Sequence, residues 1–305
     1  MSRERPQDIA ASIRQKLLNR ARERKEDFQL LLTRYAIERL LHRLSKSQYA
    51  ESFVLKGAFM FLIWTSEVYR PTRDLDLLGF GDSSLDRIVA IFKELCDIVQ
   101  GDGLVFVPNS VSAVEIREGA EYEGVRVTME SYLGEARIPL QIDIGFGDVV
   151  IPQAGVEGFP TILDMPAPRL RTYSRDSVVA EKYEAIVRLG IANSRMKDFY
   201  DIWVMLREFH FEGTTLCNAI QTTFKSRKTP LPENIPLAFT NEFSRDPAKQ
   251  AQWSAFSSRA RLRIVADDLE SVIGQISSFL FPPTEALVKN KQLNAFWPAG
   301  GPWRE

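Results

Sequence analysis

The chain has 305 residues, 45% of them hydrophobic and 26% charged, with a formal net charge of −1. That length points to two packed domains, or one domain with a large helical appendage, and the composition excludes a disordered, collagen-like or disulfide-stapled protein. Cys96, Cys217, His42 and His210 stand in unrelated contexts, so no disulfide framework, zinc knuckle or histidine-centred mechanism can be read from spacing, and any catalysis rests on carboxylates and lysine.

Residues 1 to 25 hold eight Lys and Arg, Arg14 and Lys16 among them, against three acids. Ile13, Leu17 and Leu18 recur at helical spacing, so this segment reads as an amphipathic helix whose solvated face is basic, compatible with an RNA contact. Two helices are expected, Pro6 to Lys25 and Asp27 to Leu44. A short apolar segment, Ser52 to Leu55, precedes a turn at Gly57 and a helix from Ala58 to Trp64. The longest apolar stretch, Phe53 to Trp64, is broken by Lys56 and is too short to cross a bilayer, and no signal-peptide core precedes it. A cytoplasmic protein without membrane association is the expectation.

From there to about Asp148 the pattern mixes α and β. A strand at Leu75 to Phe80 and a helix at Leu85 to Val99 are followed by strands near Leu104 to Val107, Val111 to Ile116, Gly124 to Ser131 and Pro139 to Ile144. Short turns between them imply an antiparallel or mixed sheet. After the Pro- and Gly-rich segment 152 to 168 the chain turns helical: Asp176 to Leu189, Met196 to Phe209, Thr214 to Thr223, Pro247 to Leu262 and Leu269 to Phe279. The fold class is therefore α+β. The boundary falls at 168/169, with N-terminal helices and an α/β core over 1–168 and a helical domain over 169–305. The tail from Phe296 to Glu305 is expected on the surface.

The sharpest local feature is RPTRDLDLL at Arg70 to Leu78. In a strand Asp74 and Asp76 point to the same face. Two carboxylates so close repel unless a cation lies between them, and Mg²⁺ takes one or two carboxylates together with substrate phosphates. Upstream, Lys56-Gly57-Ala58 sits at a strand-to-helix junction, where free amides and the helix dipole favour a phosphate. Asp143, inside the apolar strand QIDI, is too costly to bury alone and must meet a cation, an arginine or backbone donors. It is a candidate third metal ligand. A further charged cluster comprises Glu181, Lys182, Arg195, Lys197, Asp198 and Asp201, which surface salt bridges at helical spacing also explain.

Taken in order, Lys56-Gly57, the RPTRDLDLL strand, QIDIGFGD at 141 to 148, Ala180-Glu181-Lys182 and RMKDFYD at 195 to 201 resemble the AbiEii/MenT group of nucleotidyltransferases. These are the toxin halves of type IV-like toxin–antitoxin and phage-defence modules. The resemblance implies a polymerase-β-like core with a helical C-terminal domain, an NTP donor, Mg²⁺ and a possible cognate antitoxin. It implies that Asp74 and Asp76 hold metal. It also implies that Lys182 meets the triphosphate and that Asp198 is a further required acid. Lys56, Gly57, Ala58 and Arg73 are the expected nucleotide contacts. Ala58 replaces the Gly or Ser frequent in the family, so no hydroxyl is offered to a phosphate there. Some relatives modify the acceptor end of tRNA, and Arg14, Lys16, Arg169, Arg171 and Arg175 are the candidate RNA contacts. The rival readings are a nucleotidyltransferase acting on a small molecule or a protein hydroxyl, and an inactive binding module on the same fold.

Overall fold

In the computed structural model the structure describes residues 6–118, 121–259 and 262–305. Arg3 and Arg5 of the basic segment, and residues 260–261 of the expected helix Pro247 to Leu262, lie outside the described residues. The chain divides into two compact units. The first comprises 1–147 and 155–172, the second 148–154 and 173–305.

The first unit opens with α1 (Pro6–Arg24) and α2 (Phe28–Lys46). Asp27 starts α2 by accepting a hydrogen bond from the Leu30 amide at 2.9 Å, satisfying a donor that the helix leaves unpaired. Helix α1 buries Ala10, Ile13, Leu17 and Ala21 and leaves Arg14, Lys16, Arg22 and Arg24 exposed. Then follow β1 (Phe53–Lys56), α3 (Met60–Thr65), β2 (Asp74–Gly79), α4 (Leu85–Asp97), β3 (Leu104–Phe106), β4 (Ser112–Glu118), β5 (Glu121–Leu133), β6 (Ala136–Phe146), β7 (Gly155–Gly158) and β8 (Arg169–Thr172).

These strands make one mixed sheet in the order β3-β5-β6-β2-β1-β8-β7, with β4 also paired to β5. β2 runs parallel to β6 and β1 parallel to β8, while the other pairs are antiparallel. Alternation sorts the side chains: Leu75, Leu77, Val125, Val127, Ile142 and Ile144 are buried on one face, against which α2 packs. The opposite face carries Lys56, Asp74, Asp76, Gln141 and Asp143, with Val54 and Leu78 buried at one end of it.

The domain boundary moves from the expected 168/169. Residues 169–172 form β8 and pair with both β1 and β7, so they complete the sheet. Conversely, 148–154 belongs to the second unit, where Arg227 donates to both Asp148 oxygens, at 3.0 and 3.1 Å, and Ser174 and Ser177 bond the Ile151 carbonyl.

Beneath the sheet, α2 carries a buried acid. Glu38 accepts from the Ile162 amide at 2.8 Å and lies 3.1 Å from Arg39 Nε, yet burial raises its carboxyl to about 7. Between its ordinary value and about 7 the folded state keeps a proton that the unfolded chain has lost, so the Glu38 contribution is full below that interval and fades as pH rises through it. We expect the urea midpoint to fall between about pH 5 and about pH 7, and Glu38→Gln to flatten that fall. An unchanged slope in the variant would refute the assignment to Glu38.

The second unit contains α5 (Arg175–Leu189), α6 (Met196–Glu208), β9 (Phe211–Glu212), α7 (Gly213–Ser226), α8 (Asn241–Ser244), α9 (Pro247–Arg259), α10 (Leu269–Val288) and β10 (Phe296–Trp297). Helix α5 packs on α7, and α10 on α6 and α7, around Tyr183, Trp203, Phe224, Ile276 and Phe279. The tail lies largely on the surface, as expected, but it is anchored there. β10 pairs with β9, Trp297 is 4% exposed, and Trp297 and Trp303 donate to the carbonyls of Leu206 and Phe279. Indole rings carry large apolar area, and here each N–H finds an acceptor, so burying them stabilises the unit.

Candidate active site

The polar face of the sheet is organised by register. Lys56 on β1 pairs with Asp76 on β2, Asp76 with Asp143 on β6, and Asp143 with Arg126 on β5. Side chains directly opposite one another share a face, so these groups form one row across adjacent strands: cation, carboxylate, carboxylate, cation. The neighbouring row is Asp74, Gln141, Thr128 and Ser112. There Ser112 and Thr128 share a hydrogen bond of 2.8 Å. Asp74, Asp76, Asp143 and Arg126 are all half-buried, accessible from solvent yet flanked by apolar strand residues.

Asp143 does not stand alone in its apolar strand. Arg126 Nε and Nη2 donate to its Oδ1 and Oδ2, both at 2.8 Å, a bidentate match of planar groups. That hydrogen bonding is the first cause of the raised Arg126 pKa, and the charges of Asp143, Asp74 and Asp76 add to it. Arg126 therefore senses all three carboxylates. Of the partners open to Asp143 in the sequence, the arginine is the one present. Among the described residues no three His, Cys, Asp or Glu side chains are grouped as a ready metal site. Asp74 and Asp76, on one face of β2, offer hard oxygens of the kind that suits Mg²⁺ with substrate phosphates as further ligands.

The glycine turn is tied to the same row. Gly57 has φ +74°, and a Cβ placed there would lie 2.7 Å from Cγ and 2.8 Å from Cβ of Asp76. The Asp76 carboxylate fits because position 57 lacks a side chain. We expect Gly57→Ala to cost about 1–3 kcal/mol from backbone strain and to lower turnover on the order of 100-fold by displacing Asp76. Thermal melting and a transfer assay on the same preparation check both; normal turnover in a folded Gly57→Ala protein would separate the turn from the site. The helix expected at 58–64 is instead a short 3₁₀ turn at Gly57–Phe59 followed by the six-residue α3. So brief a helix has little dipole to offer an anion, and the turn's amides and Lys56 are the groups here that could meet one. Ala58 lies in the turn, and Arg73 is exposed just before β2.

In the second unit, Lys182 of α5 meets two carboxylates of α6: Nζ is 2.6 Å from Asp198 and 2.9 Å from Asp201. Arg195 Nε reaches the other Asp198 oxygen at 2.8 Å. Burial alone would raise the Asp198 carboxyl, but Lys182 and Arg195 outweigh it and its pKa is lowered. Salt bridges do form at this spacing, but their carboxylates, Asp198 and Asp201, are buried, while Lys182 and Arg195 are half-buried. Lys197 remains exposed.

Of the candidate RNA contacts, Arg14, Lys16 and Arg169 are exposed. Arg171 donates to the Glu51 carbonyl and lies over the Phe80 ring, and Arg175 lies over Phe209. Arg126 escaped the sequence reading. Its signal was a lone arginine between Val125 and Val127 in an alternating strand.

A mixed sheet with paired strand aspartates beside a glycine turn defines the class: the protein is a nucleotidyltransferase. The chain belongs to the AbiEii family, the nucleotidyl transferase toxins of type IV toxin–antitoxin systems, whose model matches residues 39–271. Its fold is similar to that of MenT4, a nucleotidyltransferase toxin of Mycobacterium tuberculosis H37Rv, at 16% identity, 89% of each chain and a TM-score of 0.60. JHP933 from Helicobacter pylori is also similar in fold, at 14% identity over 87% of this chain and 95% of that one, with a TM-score of 0.51. No curated protein matches the sequence. Among the described residues no helix is long and apolar enough to cross a membrane.

Proposed function

We propose that the protein is a Mg²⁺-dependent enzyme that transfers a nucleoside monophosphate from an NTP to the 3′ end of tRNA, and that it acts in the cytoplasm as a toxin in phage defence, restrained by a cognate antitoxin. The observation that carries this reading is the Lys56, Asp76, Asp143, Arg126 row with Asp74 beside it. Phosphoryl chemistry needs positioning and charge neutralisation more than covalent help, and this face offers both without a histidine.

Asp74 and Asp76 would hold Mg²⁺, which when bound neutralises the triphosphate charge. Lys56 and the turn amides at Gly57 and Ala58 hold phosphate oxygens, while exposed Arg73 can reach the nucleotide. The acceptor oxygen bonds to the α-phosphorus, the bond from that phosphorus to the bridging oxygen breaks, pyrophosphate leaves, and the hydroxyl proton passes to solvent. Lys182 is assigned to triphosphate charge and Asp198 to a required acidic role. The exposed basic face of α1, with Arg14 and Lys16, and Arg169 supply cations for a phosphate backbone.

The test is incubation of purified protein with total tRNA, Mg²⁺ and each α-labelled NTP in turn, beside the Asp76→Ala protein. Label on tRNA from the intact protein alone supports the reading and names the nucleotide. Absence of label with every NTP overturns the tRNA assignment and favours a small-molecule or protein acceptor.

A further inference from the structure

We propose that Arg126 is a positioning residue that acts as the built-in counter-cation of the carboxylate row, withholding Asp143 from a divalent ion and confining that ion to Asp74 and Asp76. This inference rests on the transferase reading of the same face.

Three observations carry it. Arg126 occupies both Asp143 oxygens at 2.8 Å, leaving the carboxylate its remaining lone pairs and a long contact of 3.4 Å from the Gln141 amide. The pair is reachable: the Arg126 side chain is 40% exposed and that of Asp143 23%, so it is a site that solvent ions can contest. Register places Asp143 directly opposite Asp76, so a cation bridging the two would compete with the guanidinium for the Asp143 oxygens. A planar guanidinium matched to a carboxylate is a specific partner that a lysine ammonium does not reproduce. With Arg126 in place, the third acid is screened and oriented. Without it, Asp76 and Asp143 stand opposite each other as like charges with one cation fewer beside them, an arrangement that favours a metal.

The experiment is Mn²⁺ titration without nucleotide, followed by water-proton relaxation, for the intact full-length chain and for Arg126→Gln, Arg126→Lys, Arg126→Gln/Asp143→Asn and Asp74→Asn/Asp76→Asn. Arg126→Gln should bind Mn²⁺ about fivefold more tightly, because a partly exposed competing ion pair has been removed. Arg126→Lys, which keeps the charge but not the fork, should fall between. The Asp143→Asn double variant should return to the affinity of the intact chain. Superposed isotherms for the intact chain and Arg126→Gln would overturn the proposal, as would a gain that persists in the Arg126→Gln/Asp143→Asn protein. Should Arg126→Gln not fold, Arg126→Lys carries the comparison by itself: tighter binding supports the proposal and an unchanged isotherm overturns it. Failure of the transferase reading shows separately, as Mn²⁺ binding indifferent to Asp74→Asn/Asp76→Asn.

Discussion

Asp76→Ala should reduce nucleotidyl transfer by on the order of 1,000-fold while leaving the protein folded, since the side chain's weight lies in charge placement more than in packing. Asp76 is half-buried at the polar face, between Lys56 and Asp143 in register, and the apolar neighbours Leu75 and Leu77 keep β2 in the sheet without it. Removing it leaves Asp74 as the single acid of the strand pair and changes the charges that Lys56 and Arg126 see. Asp74→Ala should act in the same direction. Initial rates of label transfer, with circular dichroism as a folding control, measure the effect. In cells, expression of the intact toxin should slow growth and Asp76→Ala should relieve it; equal toxicity would break the link between this carboxylate and the toxic activity.

The second large effect concerns stability. Lys182→Met should cost about 3–5 kcal/mol, because removing one partner of a buried ion cluster strands the others. Lys182 is 14% exposed while Asp198 and Asp201 are 1% and 0% exposed, so both carboxylates lose a nearby ammonium where water cannot replace it. For a unit of this size the melting temperature should fall by about 10 °C. The lowered Asp198 pKa gives the sign of the pH dependence. A carboxyl held below its ordinary value contributes stability above that value and loses it as pH falls through the folded pKa. The penalty of Lys182→Met should therefore be largest at neutral pH and shrink in acid, where protonation removes the stranded charge. Adding Asp198→Asn should recover part of the loss. A variant that melts with the intact chain at neutral pH would place Lys182 outside the energetics of this unit and leave it a purely functional lysine.

Much of the fold was legible because the relevant signals are local. Apolar residues at helical spacing placed α1, α2, α4, α5 and α6 within a few residues, and alternation placed β2, β5 and β6. β8 was missed: its four residues alternate Arg169 and Arg171 with buried Leu170 and Thr172, but a run that short becomes a strand only through its neighbours β1 and β7. Helix α10 runs to Val288 through Pro282 and Pro283, well past the expected end at Phe279. There the burial of Leu280, Pro283 and Ala286 outweighs the lost backbone hydrogen bonds. The Trp-rich tail lies largely on the surface, as its composition implies, but nothing local says that Leu206 and Phe279 will offer carbonyls to its indoles.

For the site, the sequence by itself determined the carboxylate pair: alternation along one strand puts Asp74 and Asp76 on the same face whatever surrounds them. It also required a partner for Asp143, because a charge in an apolar strand is costly. It could not choose that partner. Arg126 lies 17 residues away, on a strand that meets β6 only when the sheet closes in one register. A shift of one residue would have turned the guanidinium to the buried face. The same holds for Gly57 beside Asp76 and for Lys182 between Asp198 and Asp201, each a contact between separate elements. Periodicity is a property of the backbone and is written locally, whereas the pairing of charges is a property of register and packing, which the tertiary structure alone decides.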